Sequence, residues 1–326
     1  MKLTPRTIFA GVFLALLALV PVISAAISQP FYVTLFTRIM IFGLAALGLN
    51  LVLGYGAMVS FGHAMYMGIG AYAVGILSFY GIGNGWAHLA TALVAGVVVS
   101  LAVGLICLRT SGMAFIMITL AFAQMFYFLG VSLKEYGGDD GLSIANRSDF
   151  GVFTLANATV LYYVTFAALV GTLYLFWRLV HARFGMVLRG ARSNERRMGA
   201  LGFPTLRYKL TAYVVSALVC VLAGVLRANL TRYTSPSYMQ WTVSGELIVM
   251  AVLGGMGTLL GPVVGAAALI VLEEILSSLK LGLPWGIDRF INEHWLALIG
   301  IFIVLVVLVL KQGIYGTIAA REARRA

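Results

Sequence analysis

The sequence predicts an all-α integral membrane protein with about ten transmembrane helices. Three observations predict this fold class: an apolar composition, long apolar runs, and an uneven distribution of basic residues between those runs. Hydrophobic residues make up 61% of the 326 residues and charged residues only 10%, and the mean hydropathy is +1.00. Because soluble domains carry about 45–50% apolar and about 25% charged residues, this composition excludes an ordinary globular protein.

Ten segments of the chain are apolar enough to be predicted as membrane spans, since a helix needs about 20 apolar residues to cross a bilayer. The predicted spans are residues 8–28, 31–53, 61–80, 87–108, 112–132, 158–180, 210–230, 244–258, 262–282 and 294–311. The first span follows basic residues, as a secretory signal does, but its apolar run is longer than a usual signal, so we expect it to be retained. Together the spans predict one membrane domain over residues 1–326.

The 22 basic residues fall mainly on one side of the predicted spans. Fifteen lie on the side of the N-terminus: Lys2, Arg6, Arg109, Arg178, Arg183, Arg189, Arg192, Arg196, Arg197, Arg207, Lys209, Lys311, Arg321, Arg324 and Arg325. Six lie on the other side: Lys134, Arg147, Arg227, Arg232, Lys280 and Arg289. Arg38 falls within the second span. Since cytoplasmic loops carry the excess of Lys and Arg, both termini are predicted to be cytoplasmic.

Several classes of function are disfavoured by the sequence. Cys107 and Cys220 lie in apolar runs, and no CxxC or HExxH motif occurs, so we expect neither a disulfide framework nor a metal site. The net charge of +11 does not predict nucleic-acid binding, because the basic residues lie between spans and at the chain ends rather than in one groove-sized patch.

Two glycine-rich breaks interrupt the apolar helices, over residues 50–75 and 254–265. In the second break, Gly257, Gly261 and Gly265 are spaced four apart, which predicts that they share one helix face. Small residues on one face allow two helices to approach closely in lipid. Three roles stay open for this face: packing within the chain, contact with a second subunit, or a break that lines a solute pathway.

Polar side chains inside the spans are candidates for the lining of a solute pathway. The candidates are Asn50, Gln124, Glu246 and Glu273. An acid at the bilayer centre costs about 2.5–3.5 kcal/mol on insertion scales, so it tends to face protein or water. Glu273 and Glu274 are adjacent and point about 100° apart on a helix, so they do not form one paired site. Hydrogen bonding between helices is an equally open role for each candidate.

The segment 133–157 is predicted to be a polar loop on the extracytoplasmic side. It carries four acids against two bases, and its GGDDG stretch is typical of a turn. The spacing of an EF-hand calcium site is absent. We expect a polar outer loop or a docking surface for an extracytoplasmic partner.

The segment 183–209, on the cytoplasmic side, is the one strongly polar interruption between apolar spans. It contains seven bases and a single acid, a composition typical of contact with a soluble partner or with lipid headgroups. Residues 193–202 predict about two turns of helix, with Ser193 as the N-cap, Glu195 at the positive end and Gly202 as the left-handed stop. A helix of this length is only marginally stable by itself in water, so contacts with other elements must stabilise it.

Four blocks of the sequence resemble one known family. They are LGLNLVLGYGAMVSFGHAMYMGIGAYAVG at 47–75, RTSGMAFIMITLAFAQMF at 109–126, RFGMVLRGARSNERRMGALGFPTLRYKLTAYVVSALVCVLAGVL at 183–226, and ELIVMAVLGGMGTLLGPVVGAA at 246–267. In this order they resemble the inner-membrane permeases of branched-chain amino-acid ABC importers, the LIV type. The third block is the most specific and resembles the loop with which such permeases engage an ATPase subunit.

This resemblance implies that residues 193–202 form a coupling helix seated on the ATPase subunit. The residues are Ser193, Asn194, Glu195, Arg196, Arg197, Met198, Gly199, Ala200, Leu201 and Gly202. Glu195 and Gly202 correspond to the Glu and the downstream Gly of the general ABC-importer motif, whose spacing differs slightly here, and Arg196 and Arg197 stand where alanines are expected. The resemblance also implies a second homologous permease subunit, two ATPase subunits, an extracytoplasmic solute-binding protein and contact with lipid of the bacterial inner membrane.

The implied function is a non-catalytic permease subunit for branched-chain amino acids or a related small polar solute. No Walker A sequence GxxxxGK[ST] occurs, so ATP and magnesium are expected in the partner ATPase and no cofactor on this chain. Relatives that carry urea, amides or aromatic acids leave the substrate open. Two other classes also stay open: a stand-alone secondary transporter that uses an intramembrane carboxylate, and an intramembrane enzyme, for which no cluster of Ser, His and acid residues is evident.

Overall fold

A computed structural model of the chain describes residues 5–278, 294–309 and 313–317. Within these residues a helix coincides with each of the ten predicted spans, and two more helices lie in the basic segment. The helices are α1 (Pro5–Ile27), α2 (Phe31–Asn50), α3 (His63–Phe79), α4 (Gly85–Cys107), α5 (Met113–Ser132), α6 (Ala158–His181), α7 (Arg183–Ser193), α8 (Glu195–Ala200), α9 (Thr205–Thr231), α10 (Trp241–Gly254), α11 (Gly261–Ser278) and α12 (Trp295–Val309).

Six helices in the described part of the chain are long and apolar enough to cross a membrane, namely α1, α2, α4, α5, α6 and α9. The apolar helices α3, α10 and α12 are shorter, and α11 carries two adjacent glutamates. The all-α class is therefore confirmed, while the number of crossings stays a prediction. The predicted ends of the ninth and tenth spans, residues 279–282 and 310–311, lie outside the described residues.

The core of the bundle is built around α2 and α9, which are mostly buried, whereas α1 and α5 are mostly exposed. α2 continues into a π-helical turn over Leu51–Tyr55. α9 packs against α2, α3 and α4. At its crossing with α3, a Cβ added to Gly224 would lie 1.9 Å from the carbonyl oxygen of Met67. Only glycine permits this approach, and close backbone packing is how helices associate in lipid.

The linkers collect at two ends of the bundle. At the outer end, β1 (Leu142–Ser143) pairs antiparallel with β2 (Tyr233–Thr234), so the loop 133–157 lies against the linker between α9 and α10. Arg147 of this loop donates from Nη1 to the Ala156 carbonyl (2.7 Å). At the inner end, α7 and α8 lie beside the linkers α2–α3 and α4–α5 and share a cavity of about 240 Å³ with them.

The linkers from α1 to α11 thus alternate between the outer and inner ends, as consecutive crossings require. The assignment of the inner end to the cytoplasm rests on the distribution of basic residues. Seven of those residues lie outside the described part of the chain: Lys2, Lys280, Arg289, Lys311, Arg321, Arg324 and Arg325.

Candidate functional site

α7 lies across the inner end with its apolar face on the membrane helices. Val187, Leu188 and Ala191 are buried, and the helix packs against α6 and α9. Arg189 donates from Nη2 to the carbonyl oxygen of Val180, in the last turn of α6 (3.2 Å), where basic side chains satisfy otherwise unpaired carbonyls. The basic segment is therefore fixed to the membrane domain.

α8 begins later than the sequence predicts. Its N-cap is Asn194, whose Oδ1 accepts from the backbone N–H of Arg197 (2.9 Å), whereas Ser193 is the last residue of α7. The prediction of Ser193 as the cap is therefore wrong, because the chain becomes extended at Asn194 (φ −157°) and only that side chain reaches the first amides. Gly202 has φ +85°, which confirms the predicted left-handed stop.

Two contacts hold the short α8 against its neighbours. Glu195 lies 2.6 Å from Lys209 Nζ and accepts from the hydroxyl of Thr205 (3.2 Å), so α8 is tied to the first turns of α9. Met198 packs over α7 at Gly190, where an added Cβ would lie 2.7 Å from the Met198 sulfur. A helix of six residues that is unstable alone is thereby held in place.

The side of α8 that faces away from α7 and α9 is exposed and carries both basic and apolar residues. Its exposed residues are Arg196, Arg197, Gly199 and Ala200. Leu201 is 66% exposed, and Phe203 in the following turn is also exposed. Apolar side chains that stay in solvent beside arginines are typical of protein–protein interfaces. This surface is the first of two candidate functional sites.

Asn50 is fully buried at the inner end of α2. Its Nδ2 donates to the carbonyl oxygen of Thr258 (2.8 Å), and its Oδ1 accepts from the N–H of Gly257 (3.0 Å). Both ends of the amide are therefore engaged in holding the α10–α11 linker against α2. These contacts support a packing role for Asn50 and give no support to its predicted place in a solute pathway.

The three glycines predicted to share a face do not do so. Gly257 lies in the linker before α11 with φ +75°, so it is not on the helix, and that prediction is wrong. Gly261 and Gly265 lie on α11. An added Cβ would lie 2.6 Å from the Gly255 carbonyl at Gly261, and 1.9 Å from the Met250 carbonyl at Gly265. These two glycines therefore face α10 of the same chain.

The second candidate site is a group of charged side chains between α2, α9, α10 and α11. Arg38 Nη2 lies 3.1 Å from Glu273 Oε2. Glu246 lines one cavity together with both of these residues, and Arg227 lines a second cavity together with Arg38. The four side chains carry two positive and two negative formal charges. They lie toward the outer end, because Arg38 is near the start of α2 and Arg227 near the end of α9. Pairing side chains of opposite charge lowers the free-energy cost of placing them within a membrane.

Arg227 lies within α9, whereas its position in the sequence predicts an outer segment. Its guanidinium carbon is 3.8 Å from the ring centroid of Tyr238 and 4.8 Å from that of Phe42. Among the described residues its buried Nη1 has no hydrogen-bond partner. Stacking between aromatic rings stabilises the cation but leaves that N–H without an acceptor.

Two cavities adjoin this cluster and share the side chains of Arg38 and Phe42. The larger, of about 390 Å³, also contacts Arg227 and Glu274. The smaller, of about 160 Å³, contacts Glu246 and Glu273. The structure thus brings Glu246 and Glu273 together, whereas Gln124 lies on α5 and lines neither cavity.

A buried polar network around His63 has no counterpart among the sequence-based candidates. His63 is fully buried, with Nδ1 3.0 Å from Ser60 Oγ and Nε2 2.9 Å from Ser216 Oγ. The Ser216 hydroxyl donates to the Gly48 carbonyl (2.6 Å), so His63 must donate from Nε2 and accept at Nδ1. The network joins α2, α3 and α9. Because Ser60 and Ser216 lie far apart in sequence, only the tertiary structure reveals it.

Comparison with known proteins agrees with this architecture. The family described as branched-chain amino acid transport system / permease component matches residues 31–308. The high-affinity branched-chain amino acid transport system permease protein LivM of Escherichia coli (strain K12) is 27% identical, over 91% of this chain and 74% of that protein. No solved structure matches the chain.

Two further relatives are similar over most of their length. The permease protein LivH of Escherichia coli (strain K12) is 25% identical over 84% of this chain and 91% of that protein. A probable branched-chain amino acid transport permease protein LivM of Methanocaldococcus jannaschii is 25% identical over 83% of this chain and 89% of that protein. The family match runs from the start of α2 into α12 and includes both candidate sites. The chain therefore belongs to the family of permease components of branched-chain amino acid transport systems.

Proposed function

We propose that this permease subunit forms part of the pathway by which an ABC importer carries branched-chain amino acids across the bacterial inner membrane. Both chain termini lie in the cytoplasm. A second homologous permease subunit, two ATPase subunits and an extracytoplasmic binding protein complete the importer. ATP and magnesium bind to the ATPase subunits, and the permease binds no cofactor.

The names of the relatives support the substrate and the second permease subunit. LivM and LivH are both permease proteins of a high-affinity branched-chain amino acid transport system, and this chain aligns with each of them over 91% and 84% of its length. The excess of basic residues at the inner end supports a cytoplasmic location of α7 and α8. The paired strands and loop 133–157 at the outer end offer the binding protein an ordered surface.

The observation that carries the proposal is an exposed α8 fixed at its base to the membrane core. The Glu195–Lys209 ion pair joins α8 to α9, and Arg192 of α7 donates to the Gly54 carbonyl in the π-helical turn of α2. An ATPase that binds α8 and shifts it therefore displaces α2 and α9, around which the core of the bundle is built. Rigid shifts of packed helices are a common route from a local movement to a change of access.

Two variants test the docking of the ATPase. Glu195→Lys places a cation beside Lys209 and should detach α8 from α9, and deletion of residues 194–201 removes the helix. Both should abolish co-purification of the ATPase and ATP-driven leucine uptake. Glu135→Lys is the matched control, because it makes the same charge change in the exposed outer loop. Retained assembly and ATP-driven uptake in both α8 variants would refute the proposal.

The intramembrane charges motivate a second candidate, a secondary transporter that works without partners. Glu246 and Glu273 lie together beside a cavity, as a coupling-ion site requires. Membership of the permease family favours the importer. The isolated chain in sealed vesicles separates the two: accumulation of leucine driven by an ion gradient, without nucleotide or partner, would establish the secondary transporter.

A further inference from the structure

The geometry points to the larger outer cavity as a binding site for a zwitterionic aliphatic α-amino acid. Its carboxylate binds Arg227, its ammonium group lies toward Glu274, and its side chain contacts the apolar wall. This inference rests on the proposed function and adds to it a place on this chain where the solute is bound during passage.

The cavity has the size and position that such a site requires. Its volume is about 390 Å³, within the range of about 300–1,000 Å³ typical of small-molecule sites. It lies between the outer ends of α2 and α9, since Phe31 begins α2, Thr231 ends α9, and both line it.

Arg227 is one of the residues that line the cavity, and its guanidinium is the candidate partner for the carboxylate. Its Nη1 is buried without a hydrogen-bond partner among the described residues, and its guanidinium is confined between the rings of Phe42 and Tyr238. A planar carboxylate matches the fork of a guanidinium, so a carboxylate is the group that Arg227 would bind best.

The surrounding charges favour a zwitterion over a simple anion. The lining of the cavity carries both signs, with Arg38 and Arg227 against Glu274, so a ligand with a charge of only one sign would leave part of the lining unmatched. A zwitterion brings both signs and no net charge. Glu274 lines the same cavity and places a carboxylate where the ammonium group of the ligand requires one.

The remaining wall selects for an apolar side chain. Leu35, Ile41, Phe42 and Leu230 line the cavity, and none of these side chains offers a hydrogen bond to a polar substituent. Thr34 and Thr231 also line the cavity, but the apolar side chains predominate, so an amino acid with a polar side chain would lose much of its hydration there. The same combination of an anionic group and an ammonium group also occurs in a phosphatidylethanolamine headgroup, so the test must separate the solute from the lipid.

Protection of an introduced cysteine provides this test in the complete transporter, assembled in phosphatidylcholine nanodiscs. Thr34 lines the cavity and is exposed, so Thr34→Cys should react with a small neutral thiol reagent. The native Cys107 and Cys220 are buried and should stay unreacted. Ser132→Cys is the control, because Ser132 is exposed at the outer end of α5 and lies outside the cavity.

Leucine at saturating concentration should slow the labelling of Thr34→Cys several-fold and leave Ser132→Cys unchanged. Leucinamide lacks the carboxylate and 4-methylvalerate lacks the ammonium group, so neither should protect. Arg227→Gln should abolish protection and Arg227→Lys should keep part of it. Absence of protection by leucine, or equal protection by leucinamide, would overturn the site. Protection by phosphoethanolamine as strong as that by leucine would assign the cavity to lipid and also overturn it.

ATPase co-purification and ATP-driven uptake, measured on the same Thr34→Cys preparation, keep the two proposals apart. If both are retained while leucine fails to protect, the cavity site is wrong and the proposed function stands. If the ATPase does not assemble with a chain that has an intact α8, the proposed function fails whatever the labelling result. The ligand series on Thr34→Cys alone decides the matter if the Arg227 variants do not fold.

Discussion

At the scale of single residues, the Arg38–Glu273 ion pair joins two spans that are distant in sequence. The residues are 235 positions apart, yet their side-chain atoms are 3.1 Å apart. The side chains are 41% and 29% exposed, so the attraction between the two charges is partly screened. Removing one partner leaves a charge beside apolar helices, and this costs more than removing both.

Glu273→Gln should therefore be more damaging than the double variant Arg38→Gln/Glu273→Gln. The single change leaves Arg38 and Arg227 with one counter-charge fewer. We expect a coupling energy of about 0.5–3 kcal/mol in a double-mutant cycle, measured by reversible unfolding in detergent. Glu135→Gln in the exposed outer loop is the control and should have no effect. Strictly additive single effects would show that the two side chains do not stabilise each other.

The sequence indicated which residues are unusual more readily than it indicated what each of them does. The basic segment, Gly202 as a helix stop, and the position of Glu246 and Glu273 on helices could all be predicted from residue type and spacing. Ser193 and Asn194 are both good caps, so only the backbone conformation decides between them. The packing role of Asn50 and the stacking of Arg227 depend on partners from other helices, which spacing along one helix does not reveal.

At the scale of elements, the crossing of α10 and α11 is the contact that depends most directly on glycine. A Cβ added to Gly265 would lie 1.9 Å from the Met250 carbonyl and 2.8 Å from the Gly254 nitrogen. Both neighbours are backbone atoms, so neither moves without moving its helix. α10 carries Glu246 and α11 carries Glu273, so the crossing also sets the geometry of the charged cluster.

Gly265→Ala should force α10 and α11 apart and destabilise the bundle by about 1–3 kcal/mol, the usual cost of overpacking. Gly171→Ala is the matched control, because Gly171 lies within α6 and an added Cβ there would meet no atom within 4 Å. That change should be neutral or slightly stabilising, since alanine favours helix. Thermal unfolding in detergent measures both. Equal midpoints for the two variants would contradict the close crossing.

Helix positions could be predicted from the sequence because the bilayer imposes one requirement on every span. Apolar length alone placed α4, α5 and α6 within a few residues of their observed ends. The π-helical turn Leu51–Tyr55 and the position of Gly257 outside α11 were not predicted. Both depend on how the α2–α3 and α10–α11 linkers meet at the inner end, a tertiary arrangement that hydropathy does not encode.

At the scale of the whole molecule, α2 and α9 each connect the two candidate sites. α9 carries Lys209, the partner of Glu195, near one end and Arg227 near the other. Eighteen residues of helix place these two about 27 Å apart. α2 likewise carries Gly54, which accepts from Arg192, and Arg38 at the outer cavity. A movement imposed on α8 would therefore reach the outer cavity through two continuous helices.

This arrangement serves an ATP-driven importer only if α8 faces the cytoplasm, and labelling from one side of the membrane tests it. Val152 is 94% exposed at the outer end, and Ala200 is exposed on α8. In spheroplasts without the ATPase, Val152→Cys should react with a membrane-impermeant maleimide and Ala200→Cys should react only after permeabilisation. The unsubstituted chain, with its buried Cys107 and Cys220, is the control for background labelling. Reaction of Ala200→Cys in intact spheroplasts would place α8 outside the cell, where no ATPase could dock.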